Sequence, residues 1–411
     1  MNTATHWNIL LSNQINKKNF IETILLGKAT AELAPFNDLK GIFFSDLAID
    51  HFIQKEFQYL ELIAVAEDSH RKLSTFSSGQ RKKKFLKFCM DQNPDFIIFD
   101  NPMDHLDQAS RIELSKSLEE MASKIKIIQI INRAADLLPF ISNNRQINSD
   151  AFVLESVSHE AHETKIITQS GIPHPAHAIE YNQKVLIQMN NVSVSYQERK
   201  IVNNINWTIQ QGEFWQLIGP NGSGKSTLLS LINGDSPKGY GQDLHLFGYK
   251  KGSGESVWDI KKNIGYFATN MTSLFTRNHT LEQMILSGFF DSIGLYDLPT
   301  TLQKRIADQW LELIGMTHLK KQMFKRLSVG QQRVAMIVRS VLKHPPLVIL
   351  DEPVEGLDDE NVAMVCQLIN LLKQESNMTI VYVSHRIEPN LAPNSIFELI
   401  PSDEGSIGVI K

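Results

Sequence analysis

The sequence contains few cysteines. The two present, Cys89 and Cys366, are too few for a disulfide framework and are typical of a reducing compartment. No apolar run approaches the ~18 residues that a membrane-spanning helix needs, and the first residues lack the basic and apolar regions of a signal peptide. The formal net charge is only −4, and no basic stripe is interleaved with aromatic residues, which disfavours nucleic acid as a partner. These absences predict a cytoplasmic globular protein.

A phosphate-binding loop is the strongest pattern in the chain. It lies between an apolar strand at 214–218 and a predicted helix at 228–232. Glycines let backbone N–H groups surround a phosphate, and the helix N-terminus adds partial positive charge. Lys225 is expected to reach the β- and γ-phosphates of a nucleotide, and Ser226 to bind Mg²⁺. The predicted nucleotide-binding residues are Gly219, Pro220, Asn221, Gly222, Ser223, Gly224, Lys225, Ser226 and Thr227.

The two halves of the chain carry the same ordered pattern, which indicates a tandem duplication. A Ser-x-Gly-Gln segment precedes an apolar strand that ends in aspartate, once before Asp351 and once before Asp100. Its glycine, Gly330 or Gly79, lies 21 residues before that aspartate in both halves. A second aspartate follows seven residues later in each half. These are Asp107 and Asp358.

The first half aligns with the phosphate loop but lacks its glycines. Trp7 precedes Lys17 by ten residues, as Trp215 precedes Lys225. Side chains at the glycine positions disfavour a left-handed backbone and crowd a phosphate. The residues now at those positions are Leu11, Gln14 and Asn16. We interpret this segment, from Trp7 to Lys17, as a decayed phosphate loop (the decayed loop) in which Lys17 is a relic. The alternative is an ordinary surface turn that never bound a ligand. Both predict weak or absent nucleotide binding here.

Hydrophobic periodicity fades between the halves, around the chain-breaking segment 171–175. We predict a degenerate domain over 1–155, a linker over 156–182 and an intact domain over 183–411. The linker contains four histidines, but no cysteine or acidic pattern completes a metal site, so a solvated linker is preferred. These are His159, His162, His174 and His177.

The motifs together resemble the ATP-binding cassette (ABC) ATPases: phosphate loop, Leu-Ser-x-Gly-Gln, a strand ending Asp-Glu, Gly-Leu-Asp and a histidine after a strand, in that order. The resemblance is strong over about 185–411 and degenerate over 1–155. The stretches 252–265 and 285–294 are similar to tandem soluble ABC proteins linked to molybdate transport or photorepair. The resemblance implies an α/β fold with two tandem P-loop NTPase domains. Each would have a parallel-sheet core and a helical subdomain, at about 280–325 in the second domain, and the first would be truncated.

The resemblance also implies roles for residues of the second half. Asp351 would complete the Mg²⁺ shell with Ser226. Glu352 resembles the catalytic base that polarises the attacking water, and His385 resembles the residue that binds the γ-phosphate. Tyr196 resembles the aromatic residue that stacks on adenine.

In ABC ATPases, the signature segment of one cassette completes the ATP site of the other. In a fused pair, the second phosphate loop would receive its signature from the first half, through Ser77, Ser78, Gly79 and Gln80. The decayed loop would receive Ser328, Gly330 and Gln331, with Asn101 and Asn132 at the glutamate and histidine positions. Asparagine is not a base at neutral pH, so one working site and one inactive site are expected. Asp107 and Asp358 stand at the positions of the D-loops.

One residue departs from the family pattern. After the strand 264–267 the family has a glutamine that contacts Mg²⁺ and links hydrolysis to a membrane partner, whereas this chain has Thr269. Threonine can offer a hydroxyl to the metal with shorter reach. The departure leaves ATP binding in place and puts coupling to a permease in question.

The leading hypothesis is a Mg²⁺-dependent ATPase that energises an ABC transporter for molybdate or another oxyanion, peripheral to the inner face of the cell membrane beside a permease. The alternative is a soluble non-transport ABC protein that acts as an ATP-dependent regulatory or repair-related module. A homodimer with hydrolysis between two second halves is a further alternative. Separate substitutions of Gly79 and Gly330 distinguish it from the intramolecular site.

Overall fold

The computed structural model describes residues 5–59, 72–76, 78–149, 151–157, 171–176, 181, 183–275 and 278–411. The chain divides into two compact units. Unit 1 comprises residues 1–162 together with 356–359, and unit 2 comprises residues 163–355 together with 360–411.

Unit 1 contains a six-stranded sheet with the order β2-β3-β4-β1-β5-β6. Its strands are β1 (Trp7–Leu11), β2 (Gly41–Phe44), β3 (Phe96–Asp100), β4 (Lys126–Ile131), β5 (Asn143–Ile147) and β6 (Glu155–Ser156). Its helices are α1 (Lys17–Leu25), α2 (Asp46–Tyr59), α3 (Ser78–Asp91) and α4 (Gln108–Ala122). Neighbouring strands are parallel except β5 and β6, which are antiparallel.

Unit 2 contains two sheets, of order β12-β13-β14-β9-β15-β16 and β11-β10-β7-β8. Its strands are β7 (Val185–Tyr196), β8 (Arg199–Gln210), β9 (Phe214–Ile218), β10 (Asp243–Leu246), β11 (Tyr249–Lys250), β12 (Ile264–Ala268), β13 (Leu347–Asp351), β14 (Thr379–Val383), β15 (Ser395–Ile400) and β16 (Ile407–Ile410). Its helices are α5 (Lys225–Ile232), α6 (Val257–Lys261), α7 (Leu281–Leu286), α8 (Thr301–Leu313), α9 (Val329–Val341) and α10 (Asp359–Glu375). The four-stranded sheet is antiparallel, and the six-stranded sheet is parallel except for β15 and β16.

The central strands are continuous apolar runs because parallel strands are covered on both faces. In β3 the run Phe-Ile-Ile-Phe is fully buried, and so is Leu-Val-Ile-Leu in β13. Each run ends in a partly exposed aspartate, Asp100 or Asp351, at the carboxyl edge of its sheet. This edge is where open α/β sheets bind their ligands.

The same strand order in the two six-stranded sheets confirms the tandem α/β fold predicted from the sequence. Trp7 of β1 pairs with both β4 and β5, as Trp215 of β9 pairs with both β14 and β15. The alignment that places Leu11 opposite Gly219 is therefore also the alignment of the strands. The described part of unit 1 contains one sheet, whereas unit 2 contains both a six-stranded sheet and the antiparallel four-stranded sheet.

A helical segment of unit 2 connects β12 to the signature helix α9, as expected. It contains α7 and α8, each of which begins at a capping box in which a threonine and a glutamine three residues later satisfy each other's backbone N–H groups. The threonines are Thr280 and Thr300. No helix in the described ranges is long and apolar enough to cross a membrane.

The described part of the predicted linker, residues 171–176, belongs to unit 2. Pro173 is buried, and the N–H of Ile172 donates to Glu375 Oε2 at 2.8 Å. The expectation of a solvated linker is wrong at Pro173, whereas Gly171 is exposed. His174 is exposed, and the other three linker histidines lie outside the described residues.

Candidate functional site

The phosphate loop of unit 2 has the backbone shape that its glycines permit. Gly222 and Gly224 have φ angles of 79° and 99°, in the left-handed region. A Cβ atom at Gly224 would lie 2.6 Å from Val202 Cγ1, so a larger residue would collide with β8. Gly224 also precedes α5 without a side chain that could cap it. The loop therefore directs the N–H groups of a helix N-terminus toward the site, as anion binding requires.

Lys225, the first residue of α5, holds its ammonium group close to this loop. The side chain is buried and donates to the carbonyl oxygens of Gly219 at 2.6 Å and Pro220 at 3.1 Å. The same Nζ atom lies 3.4 Å from Nδ1 of His385. A cation on a flexible stem at this place can transfer its hydrogen bonds to phosphate oxygens.

Asp351 stands at the carboxyl end of β13, next to Glu352. Burial and the negative charge of Glu352 raise the pKa of Asp351 to about 6, although Tyr266 donates a hydrogen bond to it at 3.4 Å. Ser226 lines the same cavity as these two adjacent carboxylates. This donor set fits a divalent cation with oxygen ligands such as Mg²⁺.

Both the side chain and the backbone N–H of Glu352 make contacts. Its carboxylate forms an ion-pair contact with Nε2 of His385, and its N–H donates to Val383 O at 2.9 Å. Its φ of 52° lies in the left-handed region, which costs a residue with a Cβ roughly 1 kcal/mol. Nε2 of His385 faces this carboxylate while Nδ1 lies 3.4 Å from Lys225 Nζ. Backbone strain of the kind seen at Glu352 marks functional positions.

These side chains surround a single cavity of about 730 Å³. The predicted residues that line it are Asn221, Gly222, Gly224, Lys225, Ser226, Thr227, Thr269, Asp351, Glu352 and His385. Five lining residues were missed by sequence reasoning: Arg199, Ile201, Tyr266, Ala268 and Asn270. A signal for the first two exists in the sequence, because they follow Tyr196 directly across a tight hairpin.

Four of the nucleotide-binding residues predicted in unit 2 are not in the cavity lining: Gly219, Pro220, Ser223 and Tyr196. The first three belong to the phosphate loop but do not face the cavity. A Cβ at Gly219 would lie 2.7 Å from the buried hydroxyl of Ser223. Tyr196 is 47% exposed at the end of β7, with the Lys238 ammonium 5.7 Å from its ring centre. Stacking of Tyr196 on a base stays a prediction.

Thr269 lines the cavity, but protein groups engage its hydroxyl. The hydroxyl donates to the carbonyl oxygen of Glu352 at 2.8 Å and accepts from Nη1 of Arg333 at 2.7 Å. One lone pair of the oxygen is left for any other ligand. The predicted metal contact therefore competes with an existing network.

The signature segments begin helices in both units. Ser328 caps α9 by accepting from the N–H of Gln331 at 3.2 Å, and the Gln331 side chain accepts from the N–H of Ser328 at 3.0 Å. Gly330 is buried in the first turn. In unit 1, Gly79 and Gln80 lie in the first turn of α3, whereas Ser77 and the side chain of Ser78 lie outside the described residues.

Several polar residues at the equivalent site of unit 1 bond to one another. Lys17 forms an ion pair with Asp100 at 2.8 Å. Asn132, which follows β4 as His385 follows β14, donates to Asn13 Oδ1 at 2.6 Å, and its own N–H donates to Asn101 Oδ1 at 3.1 Å. The residues that would bind phosphate and water instead bind each other.

The two predicted D-loop aspartates both accept backbone hydrogen bonds within unit 1. Asp107 caps α4 by accepting from the N–H of Ser110 at 2.9 Å. Asp358, in the 356–359 segment of this unit, accepts from the N–H of Asn13 at 2.7 Å and from Ser12 Oγ at 3.2 Å. The Asp358 carboxylate thus accepts hydrogen bonds from one N–H group and one hydroxyl group of the decayed loop.

A strand, a glycine loop and a helix N-terminus, with a lysine and an Asp-Glu pair at the sheet edge, define unit 2 as a P-loop nucleotide-binding domain. A family model described as ABC transporter matches residues 202–355. The ABC transporter ATP-binding protein ModF of Escherichia coli is 37% identical over 77% of this chain and 68% of its own length. An uncharacterized ABC transporter ATP-binding protein of Schizosaccharomyces pombe is 32% identical over 76% of this chain and 65% of its own length.

The chain belongs to the ABC transporter ATP-binding protein family, whose members bind ATP. It spans about two thirds of the length of these two relatives. A solved structure of the RNase-L inhibitor covers 98% of this chain and is itself covered over 85%, with a TM-score of 0.63 and 14% identity. That likeness is one of fold.

Proposed function

We propose that unit 2 binds ATP with Mg²⁺ and hydrolyses it to ADP and phosphate. The observation that carries this proposal is the contact of the Glu352 carboxylate with His385 in the cavity that also contains Lys225. A base, a group that can bind phosphate and a cation thus lie within reach of one another. This arrangement is expected for phosphoryl transfer to water.

The triphosphate would be bound by the loop N–H groups and by Lys225. Lys225 donates to two loop carbonyl groups, and on binding it would exchange these for the β- and γ-phosphate oxygens. Asp351 and Ser226 would hold Mg²⁺, which supplies charge neutralisation to the phosphates when bound.

Glu352 would accept the proton of the water that attacks the γ-phosphorus. As the new P–O bond forms, the bond to the β-phosphate oxygen breaks and that oxygen leaves with ADP. His385 orients the Glu352 carboxylate through Nε2 and presents Nδ1 beside Lys225. Such positioning of a general base contributes about 10²–10⁴-fold to rate.

Phosphate release and binding of a fluorescent ATP analogue test this function together. Glu352→Gln should keep nucleotide affinity and lower kcat by about 10²-fold or more. The matched control is Asn101→Asp, at the equivalent position of unit 1, which should leave the rate unchanged. An unchanged rate in Glu352→Gln rejects the enzyme, and absence of binding in the wild type rejects the nucleotide site.

We further propose that the protein energises a membrane permease for an oxyanion such as molybdate. Two relatives that carry the description ABC transporter ATP-binding protein support the transport class. Affinity purification from solubilised membranes tests it. Retention of one membrane protein supports it, and ATPase activity without any such partner favours the regulatory alternative. That Ser77–Gln80 complete the site stays a prediction.

A further inference from the structure

A hydrogen-bonded chain connects the signature helix to the backbone of Glu352. It runs from Arg333 Nη1 to the hydroxyl of Thr269 at 2.7 Å, and from that hydroxyl to the carbonyl oxygen of Glu352 at 2.8 Å. Since a guanidinium only donates, the Thr269 oxygen must accept from Arg333, and its proton must point to Glu352. The direction of each hydrogen bond is therefore determined by chemistry.

Arg333 is a fixed donor. It is 5% exposed, and burial lowers its pKa to about 10, well above neutral pH, against the opposing influence of Glu355 and Glu352. Its Nη2 atom donates to the carbonyl oxygen of Glu355 at 3.0 Å, and its guanidinium lies 5.4 Å from the ring centre of Phe267. A buried cation held on three sides offers a rigid anchor for Thr269.

The carbonyl that Thr269 binds belongs to a strained residue. Glu352 has φ of 52°, and the same carbonyl oxygen also accepts from the N–H of Glu355 at 3.3 Å. A carbonyl held at two points fixes the peptide plane that follows Glu352, and hence the direction in which its side chain leaves the backbone. Left-handed residues of this type persist only when their surroundings constrain them.

Unit 1 provides an internal comparison at the equivalent positions. Lys82 of α3 stands three residues after Gly79, as Arg333 stands three after Gly330, and it donates to Asp104 O at 2.8 Å. In place of Thr269 is Asp46, whose carboxylate forms an ion pair with Lys82 at 3.1 Å.

An ionised carboxylate only accepts hydrogen bonds, so Asp46 has no proton to give to a carbonyl group. The cation that anchors the loop is thus present in both units. The hydroxyl donor aimed at the catalytic position occurs in unit 2, where that position is a glutamate, and unit 1 has asparagine there.

We propose that Thr269 is a positioning residue for hydrolysis, acting through the carbonyl group of Glu352 and held in place by Arg333. This inference rests on the ATPase function proposed above. It assigns to Thr269 a role different from metal ligation, because the metal role would require its remaining lone pair and this role requires its proton.

The test compares Thr269→Val, which removes the hydroxyl at nearly constant volume, with Thr269→Ser, which keeps it. Thr269→Val should lower kcat about tenfold, which corresponds to about 1.4 kcal/mol in the barrier. The KM for MgATP should stay within about twofold, because phosphate contacts are unchanged. Thr269→Ser should restore kcat to within about threefold of the wild type.

Two further measurements separate this role from metal ligation and from an effect on the rate that is independent of Glu352. The Mg²⁺ concentration for half-maximal rate should not change in Thr269→Val, whereas loss of a metal ligand would raise it. In the Glu352→Gln background, Thr269→Val should cause no further loss, because a residue that acts through Glu352 is not additive with it. An additive loss, or a raised Mg²⁺ requirement, overturns the inference.

The folded state is checked by circular dichroism and thermal melting. Should Thr269→Val not fold, Thr269→Cys provides a weaker donor of similar size and should lower kcat in the same direction. A wild type that releases no phosphate overturns the proposed function and this inference with it. A wild type that hydrolyses ATP only as fast as Thr269→Val overturns the inference alone.

Discussion

Lys17 Nζ lies 2.8 Å from Asp100 Oδ1, and both side chains are partly buried. In unit 2 the equivalent lysine, Lys225, donates to carbonyl groups of its own loop instead. The lysine of unit 1 is therefore paired with a carboxylate, whereas the lysine of unit 2 donates to carbonyl groups that it can exchange for phosphate oxygens.

Lys17→Ala should leave ATP affinity unchanged, because Lys17 is committed to Asp100. It should lower the free energy of unfolding by about 1 kcal/mol or less, as for other partly exposed ion pairs. Titration with a fluorescent ATP analogue and thermal melting measure the two effects. Lys225→Ala is the matched variant and should abolish most of the affinity. A loss of affinity in Lys17→Ala would reveal a second functional site.

His385→Ala should lower kcat by about 10²-fold, because the Glu352 carboxylate loses the group that orients it. ATP affinity should fall only a few fold, since the loop N–H groups and Lys225 still bind the phosphates. Single-turnover phosphate release measures the chemical step directly. Asn132→Ala, at the matching position of unit 1, serves as the control and should hydrolyse ATP at the wild-type rate.

The two signature glycines should respond differently to alanine. A Cβ at Gly330 would lie 1.6 Å from Asn361 Oδ1, whereas the nearest described atom to a Cβ at Gly79 is Ser110 Oγ at 4.0 Å. Gly330→Ala should therefore destabilise unit 2 by about 1–3 kcal/mol through overpacking, and Gly79→Ala should fold normally. Thermal melting checks this.

Because Gly79→Ala should fold normally, its rate of phosphate release tests whether the signature segment of unit 1 supports hydrolysis. Loss of phosphate release in this folded variant supports the intramolecular site. Wild-type activity in Gly79→Ala, together with loss in a folded Gly330 variant, would favour hydrolysis between two chains. Adding Asn361→Ala to Gly330→Ala should recover part of the lost stability.

Each unit contains one cysteine, so the rate at which that cysteine is alkylated measures how readily the unit opens. Cys89 is buried in unit 1, and burial raises the pKa of its thiol to about 12, so very little thiolate forms at pH 8. Cys366 is buried in unit 2. Alkylation should thus be slow in the native protein and fast after unfolding, and MgATP should slow labelling of Cys366 by stabilising unit 2. Peptide mass spectrometry measures both rates, and labelling of Cys366 that ignores ATP would contradict the site.

Local motifs and their spacing predicted the tandem α/β fold and most of the cavity lining. A strand, a glycine loop and a helix are adjacent in sequence, and an apolar strand that ends in Asp351 reaches the same sheet edge by topology. The alignment of Trp7 with Trp215 could also be predicted from the sequence, because each lies in the strand that precedes its loop.

Contacts between distant residues were not predictable from the sequence. Thr269 and Arg333 are 64 residues apart, and only the packing of α9 on β12 brings them together. The burial of Pro173 had no local signal, because prolines are common in exposed linkers.

Asn101 in unit 1 keeps the left-handed backbone, with φ of 44°, that Glu352 adopts at the equivalent place in unit 2. Asparagine tolerates this conformation better than glutamate does, because its short amide can bond locally. The amide at this turn therefore lacks a carboxylate that could act as a base, and it carries less backbone strain than a glutamate would. An Asn101→Glu exchange would add that strain to unit 1.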